Sequence, residues 1–338
     1  MDIENQSLFL QAKDKRKPMK FDEEADYVPV QIGSIPLDSI LSFNLYIQKN
    51  NGYALYREKN LEFTAETKSR LIANKVDCLY IMQTDTQRYL DFIESNLSTI
   101  VSDPNTSVDF KSKAVYECAS KVVFDVLQQP DVGENLVRAV GVAQNLVDFL
   151  MQGREPFFKL LTRATRDYYT YNHSVHTCTY AVVLAKKAGY SMTNRTMLDD
   201  LATGILIHDI GKSRVPEEII NKPGPLTPEE WVEIRKHPQH GLDMARNISA
   251  VRPLSYIPIL QHHEKLDGSG YPNGLHDKDI HIFGKIAAIV DVFDAMTTKR
   301  SYAPAKSYFD TLKEMLTMAD RHLDKKLLLE FIKLLTGR

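Results

Sequence analysis

The sequence predicts an α+β N-terminal domain followed by an all-α helical bundle, and three observations carry that prediction. Up to about residue 100 the chain alternates short segments rich in β-branched and aromatic residues with Pro, Asn and Gly. Beyond the DPN turn at residues 103–105, apolar residues recur at helix spacing to the C-terminus. All ten histidines fall between His173 and His322, so the second part alone has a use for imidazole. A chain of 338 residues suits two domains.

Residues 1–27 read as a flexible leader, because the basic block KDKRKPMK is cancelled by the acidic FDEEAD. Residues 28–100 form the small α+β domain. Its strands are expected at YVPVQIGSI, FNLYIQ, GYALYREK and DCLYIM. One helix should start near Thr64 and another at Thr84, where Gln87 three residues on suggests a capping box. This domain has no histidine, no Gly-rich phosphate loop and no obvious nucleophile, so it is expected to sense, to dock a protein partner or to dimerise. Residues 101–150 are expected to form a helical linker, with FKSKAVYECASKVVFDVL a relay or dimer seam, and residues 151–338 the helical domain that carries the chemistry. Within it Thr227, Pro228 and Glu230 read as N-cap, first helical residue and capping-box acid of a helix ending near His237.

Composition excludes several classes. With 42 basic against 44 acidic side chains, the net charge of −2 gives no grip on nucleic acid polymers or acidic membranes. No apolar run approaches the ~18 residues of a spanning helix, and the N-terminus lacks a secretory pattern. Cys78, Cys118 and Cys178 make no CxxC pair. A reducing, cytoplasmic setting is therefore expected.

The ligand-capable side chains fall at His173, at His208 and Asp209, at His237, at His262 and His263, and at Asp291. Each sits on or beside an apolar helical segment. Asp291 lies among Ile282, Phe283, Ile286, Ile289, Val290 and Phe293, so burying that stripe carries its carboxylate inward. A buried carboxylate is costly unless it is paired or holds a cation. Two such acids with several imidazoles suit a divalent metal with N/O ligands: Fe, Mn, Zn, Co or Ni. Asp294 reads as an acceptor that orients a ligating imidazole, or as a helix-face charge. The remaining histidines, His176, His240, His276, His281 and His322, read as ordinary hydrogen-bonded residues.

The order H…HD…H…HH…D, with HDIGK at 208–212, HPQHG, HHEKLDGSGYP and DVFDAM, resembles the HD-GYP subgroup of the HD metal-dependent phosphohydrolases from about residue 150 to 318. That resemblance implies a helical-bundle HD-type domain and phosphodiesterase action on cyclic di-GMP or a related bacterial cyclic dinucleotide. Carried over, His173, His208, Asp209, His237, His262, His263 and Asp291 match the metal ligands, with Asp209 bridging two metals. Asp209 and Lys212 are the catalytic residues so implied. Lys212, Arg300, Gly270, Tyr271, Pro272 and Asp294 are the expected substrate contacts. Two departures stand out: Tyr169 occupies the position where some members carry a glutamate that bridges a third metal, and Ala303 stands where a basic residue is frequent. Two divalent ions, Fe or Mn, are therefore expected. Sharing Asp209, they would activate a bridging water for in-line attack on phosphorus, leaving linear pGpG and, after a second cut, GMP. The alternatives are the same chemistry on 3′,3′-cyclic GMP-AMP, or a receptor that binds metal and dinucleotide without turnover.

Overall fold

The computed structural model describes residues 26–49, 52–163, 170–189, 195–222, 224–298 and 305–336. Most of the expected leader lies outside these, as do Tyr169, Arg300 and Ala303. The chain divides between Phe92 and Ile93 into two compact units.

The first unit contains β1 (Tyr27–Gln31), β2 (Ser39–Ile40), β3 (Leu45–Lys49), β4 (Gly52–Arg57), β5 (Glu62–Phe63), α1 (Ala65–Ala73), β6 (Cys78–Met82) and the start of α2 (Thr86–Ser95). Four strands form an antiparallel sheet in the order β1-β6-β3-β4, and β2 pairs with β5. Alternation places one face inward: in β6, Leu79 and Ile81 are fully buried while Cys78, Tyr80 and Met82 are partly exposed. Phe43 closes this core, meeting the rings of Tyr89 and Phe92 edge-on. Helix α1 starts where expected, with the Thr64 hydroxyl accepting from the Thr67 amide at 3.2 Å. The second helix does not start at Thr84. That residue lies in a 3-10 turn, and Gln87 reaches forward to Asp91 at 2.8 Å instead of back to a cap.

The second unit is helical throughout: α3 (Leu97–Ser102), α4 (Val108–Gln128), α5 (Gly133–Met151), α6 (Glu155–Thr162), α7 (Thr170–Lys187), α8 (Arg195–Leu206), α9 (Glu217–Ile220), α10 (Pro228–Ile234), α11 (His237–Ala245), α12 (Tyr256–Gln261), α13 (Ile282–Thr297), α14 (Tyr308–Thr317) and α15 (Lys325–Leu335). The expected linker is part of this bundle. Helix α4 packs on α5 and α7, and α5 packs on α8. They bury Val115, Ala119, Val122 and Val126 from one and Leu136, Ala139, Leu146 and Val147 from the other. A stripe of that width needs a neighbour to cover it, and the bundle supplies one. The Thr227 capping box forms as read, but its helix stops at Ile234 and His237 opens the next one. No described helix is long and apolar enough to cross a membrane.

Candidate metal centre

Five chain segments meet at one place. Helix α7 contributes His173, the turn after α8 contributes His208 and Asp209, and α11 contributes His237. The end of α12 adds His262 and His263, and α13 adds Asp291. The contacts α7–α8, α7–α13, α11–α12 and α12–α13 bring these segments together. Gly211 sets the closest approach, since a Cβ there would lie 1.9 Å from the carbonyl oxygen of His237. Only glycine lets the turn carrying His208 and Asp209 rest against the start of α11.

All seven predicted ligands converge. One group is His173, His208 and Asp291, another is His237, His262 and His263, and Asp209 joins His208 and His262 in a third; within each, the ligand atoms lie within 4.8 Å of one another. Asp209 faces both sides. Its Oδ1 lies 3.4 Å from His237 Nε2 and 3.7 Å from His262 Nε2. Its Oδ2 lies 3.7 Å from His208 Nε2 and 2.5 Å from the Lys212 ammonium. Asp291 Oδ1 is 3.1 Å from His173 Nε2, and its Oδ2 is 3.7 Å from His263 Nδ1.

The tautomers follow from what each Nδ1 meets. In His208 it donates to the Ile205 carbonyl at 2.6 Å, in His237 to Ile234 at 2.7 Å, and in His262 to Pro258 at 2.9 Å. These carbonyls belong to the last turns of α8, α10 and α12, where helix oxygens have acceptor capacity left for a side chain. His173 donates its Nδ1 proton to Asp294 Oδ2 at 2.7 Å. All four rings therefore present a bare Nε2 lone pair. Those lone pairs face one another, His237 to His262 at 3.0 Å and His173 to His208 at 3.3 Å.

Burial enforces the neutral form. It pushes His237 down to about 3, with Lys212 and His262 adding to the effect and Asp209 opposing it. Burial, reinforced by His208, takes His262 to about 4. Burial alone would raise the Asp209 carboxyl, but Lys212, His208, His237 and His262 together hold it well below the usual carboxylate range. In Asp291 the effect of burial is likewise outweighed, chiefly by the neighbouring His173 ring, with His263 and His208 adding to it. Neutral imidazoles beside ionised carboxylates are the protonation states that bind metal.

Acceptors facing acceptors with no donor between them is an arrangement that cations resolve. Asp209 Oδ1 is buried without a hydrogen-bond partner, a costly state for a charged oxygen unless a cation meets it. The residues thus fit divalent ions bound on both sides of Asp209, through N/O donors and without thiolate.

Other expectations shift. Asp294 does not face a substrate: it is buried, with one oxygen on His173 and the other 3.2 Å from His176 Nδ1. His176, read as an ordinary histidine, continues that chain to the Tyr116 hydroxyl at 3.1 Å. The only cue in sequence was Asp294 at i+3 from Asp291. The loop after His263 does stand at the centre, where the Tyr271 ring lies 4.6 Å from that of His263. A Cβ on Gly270 would meet backbone atoms of Lys265, Glu264 and His263 at 2.4–2.6 Å. Glu264, which sequence reasoning missed, is buried beneath the loop and accepts from the Asn273 amide at 2.7 Å and the Leu275 amide at 2.9 Å.

Comparison with known proteins agrees with this geometry. The HD domain family model matches residues 160–327. The chain is 34% identical over 195 residues to a cyclic di-GMP phosphodiesterase of Pseudomonas aeruginosa, covering 56% of this chain and 46% of that protein. It is 33% identical over 184 residues to the 3′3′-cGAMP-specific phosphodiesterase 2 of Vibrio cholerae, covering 54% and 35%. A cyclic di-GMP phosphodiesterase of Thermotoga maritima is 33% identical over 170 residues, covering 50% and 45%. The matched part thus spans less than half the length of each of these relatives. Among solved structures, a HDG"Y"P protein from Bdellovibrio bacteriovorus shares the fold, with a TM-score of 0.64 at 21% identity over 92% of this chain and all of that one. Residues 160–327 thus form an HD domain, and its HDIGK and HHEKLDGSGYP segments stand on the described centre.

Proposed function

We propose that this protein is a metal-dependent phosphodiesterase that opens cyclic di-GMP to linear pGpG and, after a second cut, to GMP. The observation that carries the reading is Asp209, whose two oxygens face two separate imidazole groups, one oxygen buried without a donor. The similarity of the helical unit to phosphodiesterases of cyclic dinucleotides supports the substrate class.

The seven converging side chains would hold two divalent ions, iron or manganese, with Asp209 between them. Bound there, such ions supply Lewis acidity toward a phosphoryl oxygen and lower the pKa of water toward neutrality. The chain's own residues do the rest. Asp294 keeps the His173 proton on Nδ1, so its Nε2 stays a ligand. Lys212, partly exposed beside Asp209, offers a point charge to a phosphate oxygen. Arg300 is proposed as a second phosphate contact on the resemblance alone. Gly270, Tyr271 and Pro272 wall the centre on the side of His263.

A second substrate, 3′,3′-cyclic GMP-AMP, is favoured by the Vibrio cholerae relative. The three free cysteines suit a reducing compartment, and we place the reaction in the cytoplasm. The first unit, whose described residues contribute nothing to the centre, is proposed to sense a signal or to dock a partner or second copy.

The test is turnover of cyclic di-GMP by protein prepared without air and loaded with iron or manganese, with products separated by chromatography. Conversion to pGpG is expected. Replacing His208 and Asp209 together by alanine should abolish both metal content and turnover, and full turnover in that variant would overturn the reading.

A further inference from the structure

We propose that Trp231 and Arg235 form a base-recognition subsite beside the metal centre, in which Arg235 reads the edge of a guanine. This rests on the phosphodiesterase reading above and deepens it.

Four side chains form a continuous stack from the centre to the surface. His263 belongs to the ligand cluster, and Tyr271 lies on it at 4.6 Å with 31° between the rings. The Arg235 guanidinium sits 5.5 Å from the Tyr271 ring centre and 5.8 Å from that of Trp231. Trp231 and Arg235 come from α10 and its C-cap, so one short helix supplies both outer members. Trp231, the sole tryptophan of the chain, is 45% exposed. A large apolar ring left half in water at the rim of a polar site has surface to gain by covering.

Arg235 is held by rings, not by an acid. The neighbouring carboxylates are spent elsewhere, Glu230 on Lys222 at 2.6 Å and Glu233 on Lys236 at 2.5 Å. Among the described residues Arg235 has no carboxylate partner, so its in-plane donors remain available. A guanidinium stacked between aromatics keeps a planar fork of N–H groups pointing outward. Guanine offers that fork two adjacent acceptors, O6 and N7, whereas adenine offers N7 beside an N6 donor. The exposed face of Trp231 takes a purine of either kind by stacking, and Arg235 selects between them. A base joined through its sugar to a phosphate at the metals comes to lie over the outer rings of the stack. Cyclic di-GMP and cyclic GMP-AMP both carry a guanine that fits.

The full-length, metal-loaded protein is titrated with phosphorothioate analogues of cyclic di-GMP and cyclic di-AMP, which resist cleavage, while the fluorescence of Trp231 is followed. Saturable quenching is expected, with the guanine analogue binding about tenfold more tightly, the scale of one good base contact. Arg235→Ala and Arg235→Lys should both bring that preference close to unity, because lysine keeps the charge but loses the fork. Trp231→Ala, followed by calorimetry, should weaken both analogues about tenfold. Calorimetric binding with a silent tryptophan, or an unchanged guanine preference in Arg235→Ala, overturns the subsite. The two readings separate cleanly. Quenching without cleavage of any cyclic dinucleotide removes the phosphodiesterase and keeps the subsite, and cleavage with silent Trp231 does the reverse.

Discussion

Asp294 accepts the Nδ1 proton of His173 at 2.7 Å from a position one turn beyond Asp291 on α13. A single helix therefore supplies one acid that faces the centre and another that aims an imidazole at it. Replacing Asp294 by alanine frees His173 to rotate and to change tautomer. Metal affinity should fall by about 10–100-fold, measured by competition with a chromogenic chelator, and an unchanged affinity would show that Asp294 does not orient the ligand.

Asp209→Asn tests the proposed sharing of one carboxylate by two ions. An amide keeps the shape but presents one neutral oxygen and a donor, so it cannot bind cations on both sides. Elemental analysis of protein purified without air should show the metal content falling from two per chain to one or none. Two ions retained at full occupancy would exclude Asp209 as the bridge.

Glu264 supports the loop from below. In Glu264→Ala the amides of Asn273 and Leu275 lose a buried carboxylate acceptor, and a hydrogen bond to a charged group is worth about 1.5–3 kcal/mol. The thermal midpoint should drop by roughly 5 °C or more, and the KM for cyclic dinucleotide should rise while metal content holds. A variant with an unaltered midpoint would mean that the loop is anchored elsewhere.

Acid should weaken the metal-free protein. His237 is pushed down to about 3 and His262 to about 4 in the fold, against about 6.5 in the unfolded chain. Between those values the unfolded chain binds protons that the fold refuses. Stability is therefore whole above about pH 6.5 and is lost as pH falls toward 4. Denaturant titrations at pH 7.5 and 5, after chelation, should show a lower midpoint at pH 5, and equal midpoints would contradict the buried neutral imidazoles.

The division into a mixed and a helical part was legible because strand alternation and helix spacing leave different marks on sequence. The seven converging side chains were legible through the order and spacing of their motifs. What they lean on was not. Periodicity says that 108–128 and 133–151 are helices, but not that they pack on α7 and α8. Spacing from Asp291 leaves Asp294 open as an orienting acceptor, a helix-face charge or a substrate contact, because it does not tell which side of α13 the ligand occupies. Glu264, inside HHEKLDGSGYP, carries no mark that its partners are main-chain amides nine and eleven residues away. Arg235 carries no mark either, since its significance comes from two rings that the fold brings to it.

The aim of His208, His237 and His262 is set by peptide oxygens at the ends of three helices, and a side-chain replacement does not delete a peptide oxygen. Their orientation is therefore insulated from most point changes nearby. His173 alone among the four depends on a removable group, which concentrates the mutational fragility of the whole assembly in one aspartate.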